Sequence, residues 1–226
     1  MRRMRPGSRT PGWRMPRTLL LWRHGQTDLN VEKRIQGCGI DAELNAVGRA
    51  QAQHAAQVLA QMPITRIVAS PLRRAWETAC AVAKVLGLEV TPEPRLRERS
   101  FGLWEGLTGE EILDKWPDAF TTWRDFGDPA NAGELGVETR AQVGRRVADC
   151  LRDYAAQMPG EDTWLFVSHG SASVQGIITL LGLDPGQWSG LHGMDNCHWA
   201  RLQESRRAPG WSLRGYNLGA EDTALL

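Results

Sequence analysis

Short apolar runs alternate along this chain with longer stretches in which apolar residues recur every three or four positions. Thr18 to Trp22 is apolar almost throughout and meets turn chemistry at once, the pattern of a buried strand. From Glu43 to Gln61, Leu44, Val47, Ala55, Val58 and Leu59 fall at helical intervals, and Pro63 stops the helix. "RIVA", residues 66–69, reads as a second strand. Ser70-Pro71 then reads as N-cap and first helical position of a helix reaching about Leu86, closed by Gly87. Thr108 and Glu111 have capping-box spacing at the start of another helix. Val137 to Ala156 is a long amphipathic helix that ends near Pro159-Gly160. "TWLFV", residues 163–167, is a third strand, and Ser171 to Leu181 a helix ended by Gly182. "DNCHWARLQE" and "WSLRGYNL" read as two late strands in a hairpin. The segment 91–136 holds no clean strand and reads as a helical insertion over one edge of the sheet.

Strands that alternate with helices predict an α/β fold with a mainly parallel sheet covered on both faces. No linker, repeat or low-complexity segment divides residues 18–226, so they read as one domain. The 226 residues are 42% apolar and 23% charged, ordinary values for a globular protein. No apolar run approaches the ~18 residues that span a membrane, so no membrane partner is expected. The net charge of +1 is unevenly spread. Residues 1–17 hold six arginines and no acid, which leaves 21 basic groups against 26 acidic ones in the rest. That remainder is no general polyanion binder, and nucleic acid is not an expected partner. The Arg-, Pro- and Gly-rich residues 1–17 read as a disordered basic tail. Cys38, Cys80, Cys150 and Cys197 form no C-x-x-C pair. They read as buried free thiols in a reducing, cytoplasmic setting. The late strands leave room for a homodimer.

In open α/β sheets ligands bind beyond the carboxyl ends of the strands. Three strand ends here carry reactive groups: Arg23-His24-Gly25, then "SPLRRA" with Arg73 and Arg74, then Ser168-His169-Gly170. Adjacent helical residues lie ~100° apart, so only one of Arg73 and Arg74 can face the site. Guanidiniums, with the helix N-termini after Ser70 and Gly170, suit a dianionic phosphoryl group. A histidine among those cations is held neutral and nucleophilic near neutral pH. Attack on phosphorus would give a phosphohistidine that water then cleaves. The cations neutralise the transferring oxygens, so neither a metal nor a cofactor is expected. A leaving alkoxide needs an acid. Glu93, Glu98 and Glu105 are all near enough in sequence, and spacing does not choose among them.

These residues form four ordered motifs. "LLLWRHGQTDLN", "SPLRRAWETA", "LRERSFGLWEG" and "FVSHG" resemble the signature segments of the histidine phosphatase superfamily, also called phosphoglycerate mutase-like. The resemblance implies a three-layer α/β/α sandwich. It implies His24 as nucleophile, Glu98 as proton donor, and Arg23, Arg74 and His169 as the groups holding the phosphoryl, with Arg73 turned outward. Asn30 and Gln36 would line the entrance, and Thr27 the turn beside them. "SASVQ" after the second motif departs from the family's glycine-led run, and "DNCHW" from its usual late segment. His192 and His198 read as structural or rim residues. The expected activity is hydrolysis of a small sugar or glycerate phosphate. The rival enzymatic reading is a mutase, whose cofactor-dependent members carry a longer insertion than residues 102–168 allow. A catalytically silent binding module would have no need for all five of Arg23, His24, Arg74, Glu98 and His169.

Overall fold

The computed structural model describes residues 16–225. Six strands form one sheet: β1 (Thr18–Arg23), β2 (Ile64–Ala69), β3 (Val90–Pro92), β4 (Thr163–Ser168), β5 (Trp199–Glu204) and β6 (Trp211–Leu218). Their order is β3-β2-β4-β1-β5-β6. The first four run parallel, while β5 is antiparallel to both β1 and β6. The sheet is therefore mainly parallel, with an antiparallel hairpin at one side, as the two late apolar runs predict.

The unbroken apolar run of β1 is explained by burial on both faces. Leu19 and Leu21 pack toward α7 (Arg140–Gln157) and α8 (Gly170–Leu180), in a core with Val143, Leu151, Phe166 and Ile177. Leu20 and Trp22 pack the other way, toward α2 (Ala46–Leu59) and α3 (Arg73–Leu86), with Ala56, Leu59, Ala79 and Val82. All four β1 residues are fully buried. Each such side chain contributes about 1.5–3 kcal/mol on burial. Strand β1 is thus clamped between β4 and β5, and its register sets Arg23 beside Ser168. That pairing brings the Arg-His-Gly and Ser-His-Gly segments out of the sheet at the same point.

Several boundaries differ from the sequence reading. Asn45 caps α2, its side chain accepting from Gly48 N–H at 2.8 Å, so Glu43 and Leu44 precede the helix. Val47 is exposed, because α2 turns Gly48, Ala52, Ala55 and Ala56 inward. Helix α3 begins at Arg73 rather than Pro71, and Leu72 occupies its cap position. Ser70 lies ahead of the cap, and its hydroxyl meets both Leu72 N–H at 3.3 Å and His169 Nε2 at 2.8 Å. Strand β3 escaped notice because it is three residues long, half-exposed and ends in a proline; such a strand fits only a sheet edge. Arg17, assigned to a disordered tail, is held against β5 by an ion pair to Glu204 at 3.2 Å. The rest of that expectation, residues 1–15, lies outside the described residues.

Between β3 and α7 lies the helical insertion, with α4 (Gly109–Lys115), α5 (Pro117–Phe126) and α6 (Ala132–Leu135). Thr108 and Glu111 form their capping box as predicted. The insertion has its own small core around Trp104, Ile112 and Leu135. It does more than cover an edge: Phe101, Trp123 and Gly127 line one cavity together with the strand-end residues. All four cysteines are free, but only Cys150 and Cys197 are buried; Cys80 is exposed. Among the described residues no helix is long and apolar enough to cross a membrane.

Candidate active site

His24 leaves β1 and is almost fully buried. Its backbone N–H donates to Ser168 O at 3.1 Å, and its carbonyl accepts from Asn196 Nδ2 at 3.0 Å. Its Nδ1 lies 2.7 Å from the carbonyl oxygen of Gly25. A carbonyl only accepts, so Nδ1 carries the proton and the lone pair of neutral His24 sits on Nε2. Gly25 itself must be glycine. A Cβ there would lie 2.5 Å from the carbonyl oxygen of Gly48, and a Cβ on Gly48 would lie 2.0 Å from Gln26 O. This backbone-to-backbone contact locks the turn that presents His24 against the start of α2.

His169 follows β4 and is fully buried, its ring centroid 5.1 Å from that of His24. Its Nε2 meets Ser70 Oγ at 2.8 Å. Ser70 Oγ also accepts from Leu72 N–H at 3.3 Å. The Nδ1 of His169 is buried and has no partner among the described residues. The Nε atoms of Arg23 and Arg74 are likewise buried and unpartnered. Buried polar groups are normally satisfied, so these three nitrogens mark a place for a ligand, one with acceptors for the two guanidiniums. Other nitrogens of the two guanidiniums hold them in place. Arg74 donates Nη1 to Ile40 O at 2.8 Å and Nη2 to Gly37 O at 2.7 Å, and Arg23 donates to Met194 O. Arg73 points outward to Glu43 at 2.8 Å.

The structure separates the three glutamates. Glu93 is paired with Arg95 at 2.9 Å. Glu105 latches the 37–39 loop, accepting from Cys38 N–H at 3.2 Å and Gly39 N–H at 2.9 Å. Glu98 alone of the three lines the cavity with Arg23 and His24. It also caps α8: Oε1 accepts from Ala172 N–H and Arg99 N–H, each at 2.8 Å, and Oε2 from Ser171 N–H at 3.1 Å. With a single donor, Oε2 is the oxygen with room for a proton.

Burial, then Arg74 and Arg23, push the His24 pKa well below its ordinary value. Burial, then Arg74 and His24, do the same to His169. Both shifts favour the neutral ring in the folded protein. On unfolding they are free to take up protons below an ordinary pKa of about 6.5. There the unfolded chain binds more protons than the folded one, so stability falls as pH drops below that value. The expected slope is up to about 1.4 kcal/mol per pH unit for each histidine. Denaturant titrations between about pH 7.5 and 5.5 read it directly; an unfolding free energy that stays level would contradict the two buried neutral rings.

The cavity has a volume of about 520 Å³. Of the residues expected at the site, Arg23, His24, Asn30, Gln36, Arg74, Glu98 and Gly170 line it. His169 does not line it, though its ring lies 5.1 Å from that of His24. Thr27 does not line it; it is fully buried and caps α1 (Asp28–Val31) in a reciprocal bond with Asn30. Its part is to hold Asn30 in place. His198 is structural, its Nδ1 on Asn217 O at 3.0 Å, and exposed His192 accepts from the Tyr216 hydroxyl through its carbonyl. The sequence reading saw in Ser70 only the start of a helix and missed its bond to His169. It also missed Asn196, which ties His24 to Asn30, and the aromatic pair Phe101 and Trp123 from the insertion. Among the described residues no three His, Cys, Asp or Glu groups are placed to hold a metal ion.

Comparison with known proteins agrees with this geometry. The family model of the histidine phosphatase superfamily (branch 1) matches residues 19–218. The chain is 36% identical over 219 residues to glucosyl-3-phosphoglycerate phosphatase of Mycobacterium tuberculosis, covering 91% of this chain and 96% of the relative. It is 32% identical to phosphoserine phosphatase 1 of Hydrogenobacter thermophilus, over 84% of this chain and 87% of that one. The solved structure of the mycobacterial glucosyl-3-phosphoglycerate phosphatase in complex with VO3 superposes with a TM-score of 0.80 at 36% identity, covering 90% of this chain and 100% of that one. The chain therefore belongs to the histidine phosphatase superfamily, branch 1, and is a phosphoric monoester hydrolase.

Proposed function

We propose that this phosphatase works through a phosphohistidine on His24, and that its substrate is a small phosphorylated polyol or hydroxy acid, with glucosyl-3-phosphoglycerate first. The observation that carries the chemistry is the Nδ1 bond of His24 to Gly25 O, which leaves Nε2 free as a nucleophile. Arg23 Nε, Arg74 Nε and His169 Nδ1 would hold the phosphoryl oxygens and neutralise the charge that builds on them. Nε2 forms the bond to phosphorus as the ester P–O bond breaks, and Glu98 Oε2 gives its proton to the leaving oxygen. Water then attacks phosphorus and passes a proton back to Glu98. The N–P bond breaks, and inorganic phosphate leaves. The substrate reading rests on the 36% identity to the mycobacterial enzyme over nearly the whole chain.

Phosphate release across glucosyl-3-phosphoglycerate, 3-phosphoglycerate, phosphoserine and sugar phosphates tests the reading. Glucosyl-3-phosphoglycerate should have the highest kcat/KM. Preference for phosphoserine, or transfer of phosphate between the hydroxyls of phosphoglycerate in place of its release, would overturn the substrate assignment. Rates should be the same with excess EDTA. Inhibition reversed by an added divalent ion would show that the arginines and His169 do not suffice.

A further inference from the structure

Helix α8 lines the cavity with Gly170, Ser171, Val174 and Gln175. That spacing is one face of a helix, read along its axis. Gly170 marks the phosphoryl end, where a Cβ would sit 3.6 Å from Arg23 Nε and 3.9 Å from Glu98 Oε2. With a rise of 1.5 Å per residue, Gln175 stands about 7.5 Å farther along the axis. That is the depth at which the leaving group of a bound phosphate ester would lie.

Gln175 is out of character for its position. Its helix neighbours Val174, Gly176, Ile177 and Ile178 are buried and apolar or without a side chain. The glutamine is itself 7% exposed, and its side-chain oxygen is buried with no hydrogen-bond partner among the described residues. An unsatisfied buried amide costs stability, so a wall made only for packing would carry Leu or Met here. The same cavity is lined by Phe101 and Trp123, half-buried and edge to face with centroids 6.5 Å apart. An aromatic wall and an amide that both donates and accepts suit a polyhydroxylated ring. Its C–H face lies on the aromatics, and a hydroxyl satisfies the amide in both directions.

We infer that Gln175 is a specificity-determining residue that reads a hydroxyl of the leaving group, with Phe101 and Trp123 as the apolar wall of the same subsite. This rests on the phosphatase reading of the cavity. The test compares kcat/KM for glucosyl-3-phosphoglycerate and for p-nitrophenyl phosphate in the wild type and in Gln175→Leu. The loss on the sugar-bearing substrate should exceed the loss on the aryl one by at least about tenfold, since a buried donor or acceptor left unpaired is what enforces such discrimination. Trp123→Ala should skew the ratio in the same direction. Where Gln175→Leu does not fold, Gln175→Asn keeps the polarity, shortens the reach and should skew the ratio less. Calorimetric binding of glucosylglycerate, which carries no phosphate, separates this inference from the choice of reaction. Its affinity should fall by a similar factor in Gln175→Leu even if glucosyl-3-phosphoglycerate proves not to be hydrolysed. Equal losses on both substrates, or glucosylglycerate binding that is absent or the same in both proteins, would overturn it.

Discussion

His24→Ala should abolish turnover of p-nitrophenyl phosphate and of the natural ester alike, by a factor of at least about a thousand, while the protein stays folded. The size follows from the chemistry. Without Nε2 the reaction loses a buried, pre-oriented nucleophile, and water would have to attack phosphorus directly without one. The fold should persist because the scaffold of this turn lies in backbone. His24 N–H to Ser168 O, the Asn196 bond to His24 O and the Gly25–Gly48 contact all survive the change. The one hydrogen bond lost is that to Gly25 O, worth about 1 kcal/mol, or up to about 3 if the carbonyl is left dry. Circular dichroism and a cooperative thermal transition check the fold. Turnover above about one per cent of wild type in a folded variant would contradict the assignment.

Glu98→Gln should divide substrates by their leaving groups. An alkoxide leaves poorly without a proton, and general acid catalysis contributes about 10²–10⁴-fold. Glucosyl-3-phosphoglycerate should therefore lose a factor in that range. p-Nitrophenyl phosphate, whose phenolate leaves unaided, should lose less than about tenfold. The substitution also has a structural cost, because Glu98 caps α8 with both oxygens. A glutamine can keep its oxygen on Ala172 N–H and Arg99 N–H but must then turn its NH2 toward Ser171 N–H. A loss of about 1–3 kcal/mol in unfolding free energy is expected from that clash of donors. Comparable losses on the alkyl and aryl esters would deny Glu98 the acid role and leave it as a helix cap.

The strands and their chemistry were legible because the signals are local. An unbroken apolar run followed by Arg-His-Gly states a buried strand and its polar end in eight residues. The convergence of Arg23, Arg74 and His169 followed from a general rule about where parallel sheets bind ligands. What escaped was what depends on distant partners. Ser70 has the composition of an N-cap, and only the fold reveals that β2 carries it to His169, 99 residues away in sequence. The three glutamates near "PRLRERSFGLWEG" could not be ranked by spacing, since their roles follow from the loops they meet: the 37–39 loop for Glu105, Arg95 for Glu93, the start of α8 for Glu98. Thr27 looked like a ligand contact and is a cap, a distinction set by which way one hydroxyl turns. The insertion read as an edge cover because its amphipathic pattern reports that it packs, not on what. Its aromatic residues reach the cavity through a tertiary contact that no local period encodes.

The central claim is a double displacement through His24, and the stereochemistry at phosphorus tests it most directly. With a phosphate ester made chiral by oxygen isotopes, hydrolysed in water of the third isotope, two in-line transfers give net retention. Direct attack by water gives inversion. Retention is the result this site geometry predicts, and inversion would contradict it.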